Sequence, residues 1–263
     1  MMPYWAVLSA RFRLLLQYRG AAIAGLGTQL FWGLIRVMIF EAFYRSSNAI
    51  QPMDYSQVVT YIWLGQAMFA MLLLLIDNDI RAMIKNGSVV YELVRPVDLY
   101  TLWFSRAVAM KVAPTVLRAV PLFIISGLFF GLKSPPSVQS AVAWALATIG
   151  AVLLGAAISN LMVISLLWTI SGEGLARLMP TILIVFSGMV LPLPLFPDWA
   201  QRLLGFLPFG YLADVPFRLY IGHIAPENIG AVLLHQALWI AVLVVLGRYL
   251  LARGTRRLVV QGG

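Results

Sequence analysis

The chain has 263 residues, of which 61% are hydrophobic and 11% charged, with a formal net charge of +9 and no cysteine. A soluble domain carries about 25% charged residues, so this composition excludes a soluble catalytic domain and indicates an integral membrane protein. Without cysteine there is no disulfide framework and no thiolate zinc site. Most basic residues flank apolar runs, which fits lipid headgroups and argues against nucleic acid as a partner.

Residues 1–20 combine apolar side chains at helical spacing with arginines on the opposite face. Trp5, Leu8 and Phe12 belong to the apolar face, and Arg11 and Arg13 to the polar one. The arginines follow the apolar residues, whereas those of a signal peptide precede them. The pattern predicts a helix lying in the membrane surface, with a cytosolic extension of the first span as the alternative.

Six apolar segments are long enough to cross a bilayer, which needs roughly 20 residues for about 30 Å of hydrocarbon. The predicted spans cover residues 21–43, 58–76, a stretch ending before Lys133, most of 140–170, 178 to about 195, and 228–246. The longest uncharged run is the 39 residues between Lys133 and Glu173. The sequence therefore predicts an all-α integral membrane protein with six transmembrane helices in one domain over residues 1–263.

Six crossings place both termini on the same side of the membrane. Of the 19 basic residues, 12 fall on that side, 4 on the other side and 3 within spans. Cytoplasmic loops carry an excess of Lys and Arg, so both termini are predicted to be cytosolic.

Residues 192–222 are rich in proline and in large apolar side chains. The prolines are Pro192, Pro194, Pro197, Pro208 and Pro216. They are too frequent for one continuous helix, so the segment is predicted to form broken helices in the outer leaflet. Two interpretations stay open, a re-entrant element near a translocation path and an ordinary amphipathic outer loop.

The longest predicted cytosolic loop covers residues 77–106. Asp77 suits a helix start, and Gly87 suits its end. Between them an apolar stripe at i, i+3 and i+4 is formed by Ile80, Met83 and Ile84. A helix this short needs something to pack on, so apolar and basic residues together predict a docking surface for a partner protein.

A block in this loop resembles one found in permeases of the type-two ATP-binding-cassette (ABC) exporter class. The block consists of Gly87, Val89, Val90, Leu93, Arg95, Pro96 and Val97. The resemblance extends over nearly the whole chain, from the amphipathic start through six spans and the broken proline-rich segment to the basic tail. It implies a single permease domain in the inner (cytoplasmic) membrane.

The resemblance also implies how such a permease is driven. Residues 81–96 would dock into a cleft of a separate ATPase subunit, which holds ATP and magnesium, and two permease chains, identical or different, would pair with two ATPase chains. The implied coupling residues are Arg81, Lys85, Gly87, Glu92, Leu93, Arg95 and Pro96. No catalytic, cofactor-binding or metal-binding residue is implied in the permease itself.

The sequence itself also indicates that this chain does not hydrolyse ATP by the usual route, because no G-x-x-x-x-G-K-[ST] loop occurs in it. ATP-driven transport therefore needs another subunit.

Two alternatives to an exporter permease are an ion-driven secondary carrier and an intramembrane enzyme. Acidic residues are nearly absent from the spans, and Ser187 with Gly188 has no base nearby in sequence.

Several ionisable residues fall within predicted spans. Arg36 and Glu41, five residues apart, are candidates for lining a translocation path or dimer interface. The alternative for Arg36 is an interior arginine paired with Glu41 or a helix carbonyl. Lys111 and Arg118 are predicted to reach the cytosolic headgroups with their long side chains. His235 is predicted to be a packing residue.

Overall fold

The computed structural model describes residues 2–17, 19–46, 50–169 and 173–256, which form helices joined by loops and contain no strand. The α-helices are α1 (Met2–Leu16), α2 (Arg19–Ser46), α3 (Tyr55–Ala67), α4 (Phe69–Leu72), α5 (Asn78–Lys85), α6 (Val90–Leu93), α7 (Leu99–Phe129), α8 (Val138–Ser165), α9 (Glu173–Phe186), α10 (Asp198–Phe206), α11 (Asp214–Tyr220) and α12 (Ile229–Thr255).

Four helices within the described ranges are long and apolar enough to cross a membrane, namely α2, α7, α8 and α12. The shortest of them, α12, has 27 residues, which gives about 40 Å at about 1.5 Å per residue. It runs nine residues beyond the predicted end at Leu246, so Arg248 and Arg253 lie on the helix rather than in a tail.

The second and fifth predicted spans are not long continuous helices, so the six-span count is not confirmed. The second is divided into α3, with 13 residues, α4, with 4, and a non-helical stretch at residues 73–77. The fifth, α9, has 14 residues and ends at Phe186, well before the predicted end near Leu195.

Lys111 of α7 explains how the break after α4 is accommodated. Its Nζ donates hydrogen bonds to the carbonyl oxygens of Met71, at 3.1 Å, and Leu73, at 3.0 Å. These bonds satisfy acceptors that a continuous helix would have paired with backbone amides. The predicted headgroup contact of Lys111 is therefore wrong, because its side chain is only 3% exposed and turned into the protein.

The loop between α4 and α7 lies at one end of the helix bundle, beside α1. It contains α5 and α6 and ends at Asp98, because Asp98 caps α7 and accepts a hydrogen bond from the Thr101 amide at 2.9 Å. The predicted loop of residues 77–106 is therefore eight residues too long. Residues 99–106 form the first two turns of α7.

The proline-rich segment lies at the opposite end, where α3 and α8 begin. Besides α10 and α11 it contains two short 3-10 helices, Leu193–Leu195 and Gly210–Leu212. Pro192 and Pro197 occupy the positions just before helices. Proline fits there because the first turn of a helix leaves its amides without intrahelical partners.

The core is centred on α3 and α8, both of which are largely buried. Its largest fully buried side chains include Trp63, Trp103, Tyr61 and Phe217. Trp63 fits against α2 at Gly33, where an added Cβ would lie 2.5 Å from the indole ring. Close approach of these two helices therefore requires glycine at that position.

Candidate functional site

The start of α5 is fixed by a cluster of charged side chains. The Asp77 carboxylate accepts the amide of Asp79 at 3.0 Å and caps the helix. Arg106 of α7 contacts Asp77 at 2.8 Å and Asp79 at 3.1 Å, and Arg11 of α1 contacts Asp79 at 2.8 Å. We call these four residues the charge cluster, and it links α1, α5 and α7.

The turn between α5 and α6 depends on Gly87, whose φ is +77°. Other residues adopt this backbone conformation at a cost of about 1–2 kcal/mol. Asn86 supports the turn by accepting the Ser88 amide at 3.0 Å, and the Val89 amide donates to the Met83 carbonyl at 3.1 Å. Val89 itself is buried and anchors the start of α6.

Glu92, which the resemblance implies is a coupling residue, faces the interior. The indole Nε1–H of Trp103 donates to the Glu92 carboxylate at 2.7 Å, and Glu92 is only 7% exposed. The pair joins α6 to the second turn of α7. Glu92 therefore does not share the exposed surface of its neighbours.

The exposed part of the loop forms a mixed apolar and basic surface. We call it the loop surface, and it consists of Lys85, Tyr91, Leu93, Val94, Arg95 and Pro96. Tyr91 is 73% exposed and Val94 76% exposed. Arg81 lies half-buried on α5, and Gly87 is exposed at the turn beside this surface. The structure thus brings most of the implied coupling residues to one solvent-facing loop.

Asp98 ties the end of the loop to two further helices. Its carboxylate pairs with Arg248 of α12 at 3.0 Å, and its amide donates to the Tyr4 hydroxyl of α1 at 2.8 Å. Partial burial works to raise the pKa of Asp98, but the hydrogen bonds from Thr101 and the charge of Arg248 outweigh it and lower that pKa. The carboxylate is therefore ionised at neutral pH.

Arg36 does not pair with Glu41. Glu41 instead pairs with Arg45 at 2.6 Å, one turn away on the same helix. Five residues of helix turn a side chain to another face, whereas four keep it on the same one. Arg36 donates a hydrogen bond to the carbonyl of Met189, which follows α9. Its partner is therefore neither Glu41 nor a helix carbonyl, the two predicted for an interior arginine, but the carbonyl of a residue in the bend after α9.

A cavity of about 470 Å³ lies beside Arg36, between α2, α3, α4 and the end of α9. It is lined by Thr28, Gln29, Trp32, Arg36, Gln66, Phe69, Ile184 and Met189. Its size is within the range of small-molecule sites, which is roughly 300–1,000 Å³. We call it the Arg36 cavity.

A buried carboxylate holds the proline-rich segment against α3. Asp214 accepts hydrogen bonds from the Tyr61 hydroxyl at 2.9 Å and the Leu193 amide at 2.9 Å. Arg218 is 3.3 Å from its other oxygen. The Tyr61 hydroxyl also lies 3.0 Å from the carbonyl of Gly188. This cluster fixes the chain immediately before Met189, and so sets one wall of the Arg36 cavity.

His235 packs against an aromatic ring, as predicted. Its imidazole stacks on Tyr211, with ring centroids 3.8 Å apart and nearly parallel. The next residue, Gln236, donates to the carbonyls of Ala147 at 2.9 Å and Tyr211 at 3.0 Å.

Arg118 packs against α2 at Gly25, where an added Cβ would lie 2.7 Å from the guanidinium carbon.

Sequence reasoning missed the two buried glutamines of the Arg36 cavity, Gln29 and Gln66. Both are buried, at 4% and 5% exposure. The sequence could have indicated both residues, because a glutamine inside an apolar span costs free energy unless it has a polar partner or a function. Asp214 was missed because its burial depends on the fold of the whole proline-rich segment.

Comparison with known proteins bears on both sites. A protein-family model described as "ABC-2 family transporter protein" matches residues 30–262. The match includes the loop surface, the charge cluster except Arg11, and the Arg36 cavity except Thr28 and Gln29. No curated protein matches the chain.

Proposed function

Because the chain belongs to the ABC-2 family of transporter proteins, whose model matches residues 30–262, we propose that it is the permease of an ATP-driven exporter powered by a separate ATPase subunit. Permeases of this family are multi-pass transport components that are not themselves catalytic and generally work with an ATPase subunit. The exported molecule is amphipathic or hydrophobic in this proposal.

The observation that carries the proposal is the loop surface. Tyr91, Leu93 and Val94 expose apolar side chains next to the basic Lys85 and Arg95. Contiguous exposed apolar groups with a charged rim are typical of protein interfaces. The proposed occupant is a cleft of the ATPase subunit with an apolar floor and acidic edges.

The contacts behind the loop surface support a role in transmitting motion. The charge cluster connects α5 to α1 and α7 through Arg11 and Arg106. The Glu92–Trp103 pair connects α6 to α7, and Asp98 connects the loop to α12 through Arg248. A displacement of the docked loop would therefore move several helices at once.

The rest of the assembly follows from the same proposal. Two permease chains, identical or different, pair with two ATPase chains, and ATP and magnesium bind on the ATPase. The complex lies in the inner (cytoplasmic) membrane with both termini in the cytosol, which the excess of basic residues on that side supports. The N-terminal helix α1 lies in the cytosolic membrane surface beside the loop.

The test is purification of the chain from its native membrane in mild detergent, followed by mass spectrometry and an ATPase assay. Val94→Asp and Arg95→Glu should each reduce the co-purified ATPase subunit at least tenfold, since both side chains lie on the loop surface and interface hot spots cost about 2 kcal/mol or more. Arg202→Glu on α10 is the matched control, because it reverses an exposed arginine at the other end of the bundle.

Two outcomes would overturn the proposal. One is an ATPase-free preparation that still transports along an ion gradient, which would indicate a secondary carrier. The other is an equal loss of the ATPase subunit in all three variants. The enzyme alternative gains nothing from the structure, because Ser187 Oγ is buried without a hydrogen-bond partner among the described residues.

A further inference from the structure

We infer that the Arg36 cavity binds the anionic head of an amphiphile. This inference rests on the proposed transport function, because it assigns the cavity to the transported molecule and names its chemical class. The ligand has one acidic head, a carboxylate or a phosphate, attached to an apolar body.

The first argument is the position of Arg36 along α2. The apolar stretch of this helix runs over Ile23–Ser46, so Arg36 lies about 20 Å from its start and about 15 Å from its end at about 1.5 Å per residue. The Arg36 side chain does not join the exposed Glu41–Arg45 pair nearer the end of the helix, but donates to the Met189 carbonyl inside the protein. A positive charge near the middle of a span is costly and typically has a functional or pairing role.

The second argument is the missing counter-charge. Within the described ranges, the hydrogen-bond acceptor of Arg36 is the Met189 carbonyl, and no carboxylate pairs with it. Glu41, the nearest acidic residue on the helix, is occupied by Arg45. A neutral carbonyl offsets only part of the cost of burying the charge. An anion in the cavity would supply the rest.

The third argument is Gln29, two turns before Arg36 on the same face of α2. Its side chain is 4% exposed, and neither its Nε2 nor its Oε1 has a hydrogen-bond partner among the described residues. Buried polar groups without a partner are rare in folded proteins. Gln29 lines the cavity, so an anionic head bound near it would give this amide the polar partner that it lacks.

The remaining lining indicates the rest of the ligand. Trp32, Phe69 and Ile184 form apolar walls, and Gln66 adds a second amide at the α3 side. Polar groups thus occur together with a larger apolar surface, the usual composition of a site for a small amphipathic molecule. A cationic compound would meet Arg36 with the same sign of charge, so the cavity should discriminate against it.

The test measures binding to the purified full-length chain, with whatever subunits co-purify, in nanodiscs of zwitterionic phosphatidylcholine. The probe is a photoactivatable fatty acid, compared with the primary amide of the same chain. The carboxylate should label peptides of α2 or α9 at least tenfold more than the amide. Arg36→Gln should remove that preference, since a hydrogen bond to a charged group is worth about ten-fold or more in affinity.

Arg45→Gln is the matched control, because it removes a cation from the same helix outside the cavity. It should leave labelling unchanged. Arg36→Lys keeps the charge and should retain a preference for the carboxylate. Gln29→Leu, which leaves the Met189 contact in place, should lower labelling at least threefold while the protein stays folded, and so tests the cavity even if Arg36→Gln fails to fold.

Competition identifies the source of the anion. If phosphatidylglycerol in the nanodisc blocks labelling as well as unlabelled fatty acid does, the ligand is a bilayer lipid; if only the single-chain competitor does, it is a free amphiphile. Equal labelling by carboxylate and amide, or equal loss in the Arg45 control, would overturn the inference. ATPase co-purification is measured separately, so labelling without an ATPase subunit would refute only the proposed coupling.

Discussion

Substitution of Gly33 by alanine should destabilise the protein, whereas the same substitution six residues earlier on α2 should not. A Cβ at Gly33 would lie 2.5 Å and 2.8 Å from two ring carbons of Trp63, far inside ordinary contact at about 3.5–4.0 Å. The ring has no room to retreat, because Trp63 is fully buried, donates to the Phe130 carbonyl at 2.9 Å and stacks on Phe130.

The expected magnitude follows from two opposing effects. Overpacking a well-packed core costs about 1–3 kcal/mol, while alanine gains up to about 1 kcal/mol over glycine in a helix. At Gly27 nothing lies within 4 Å of the added Cβ, so only the gain remains. The two variants should therefore differ by about 1–3 kcal/mol in free energy of unfolding.

The assay is the thermal unfolding midpoint of each purified variant in the same detergent, followed by tryptophan fluorescence. At about 2–4 °C per kcal/mol for a chain of about this size, Gly33→Ala should melt roughly 2–12 °C below Gly27→Ala. If Gly33→Ala melts at or above Gly27→Ala, then α2 and α3 do not meet at the distance that the structure gives.

Three further outcomes are expected. The pKa of Asp98 is lowered in the folded chain, so its contribution to stability is present above the unfolded pKa of about 3.9 and is lost as pH falls through the lower folded pKa. The difference in melting point between wild type and Asp98→Asn should therefore be full at pH 7 and shrink as the pH is lowered below about 3.9. A difference that does not depend on pH would show that the ionised pairing with Arg248 is not its cause. Gly87→Ala should strain the turn by about 1–2 kcal/mol and reduce co-purification of the ATPase subunit without loss of membrane insertion; unchanged recovery of that subunit would contradict it. Gly188→Ala, with φ at +83° and its added Cβ 2.8 Å from the Asp214 Cβ, should cost about 2–5 kcal/mol by the sum of strain and overpacking, and a normal melting point would refute the packing described there.

Features with a local cause could be predicted from the sequence. Asp77 and Gly87 bound α5 because capping and a left-handed backbone depend on one residue each. The proline-rich segment consists of short helices because proline stops the helix before it. The loop surface follows from the same local pattern, since its side chains are exposed and lie close together in the sequence.

Features that depend on contacts between distant residues could not be predicted. No residue within 73–77 signals the end of α4, and the break is stabilised by Lys111, about 40 residues later in the chain. Glu92 looks like a surface carboxylate until Trp103 is placed beside it. Gln29 and Met189 meet Arg36 at one cavity only because α2, α3 and α9 are packed together.

The non-helical stretch at residues 73–77 also has a mechanical consequence. A displacement of α5 would not be transmitted along the backbone to α3, because the non-helical stretch between them can bend, whereas a continuous helix is stiff. Arg106 and Lys111 of α7 hold the two ends of this linker, at Asp77 and at Met71 and Leu73, and they are only about 7.5 Å apart along the helix axis. A displacement of α5 would therefore reach the other end of the linker through α7, which contacts both of its ends.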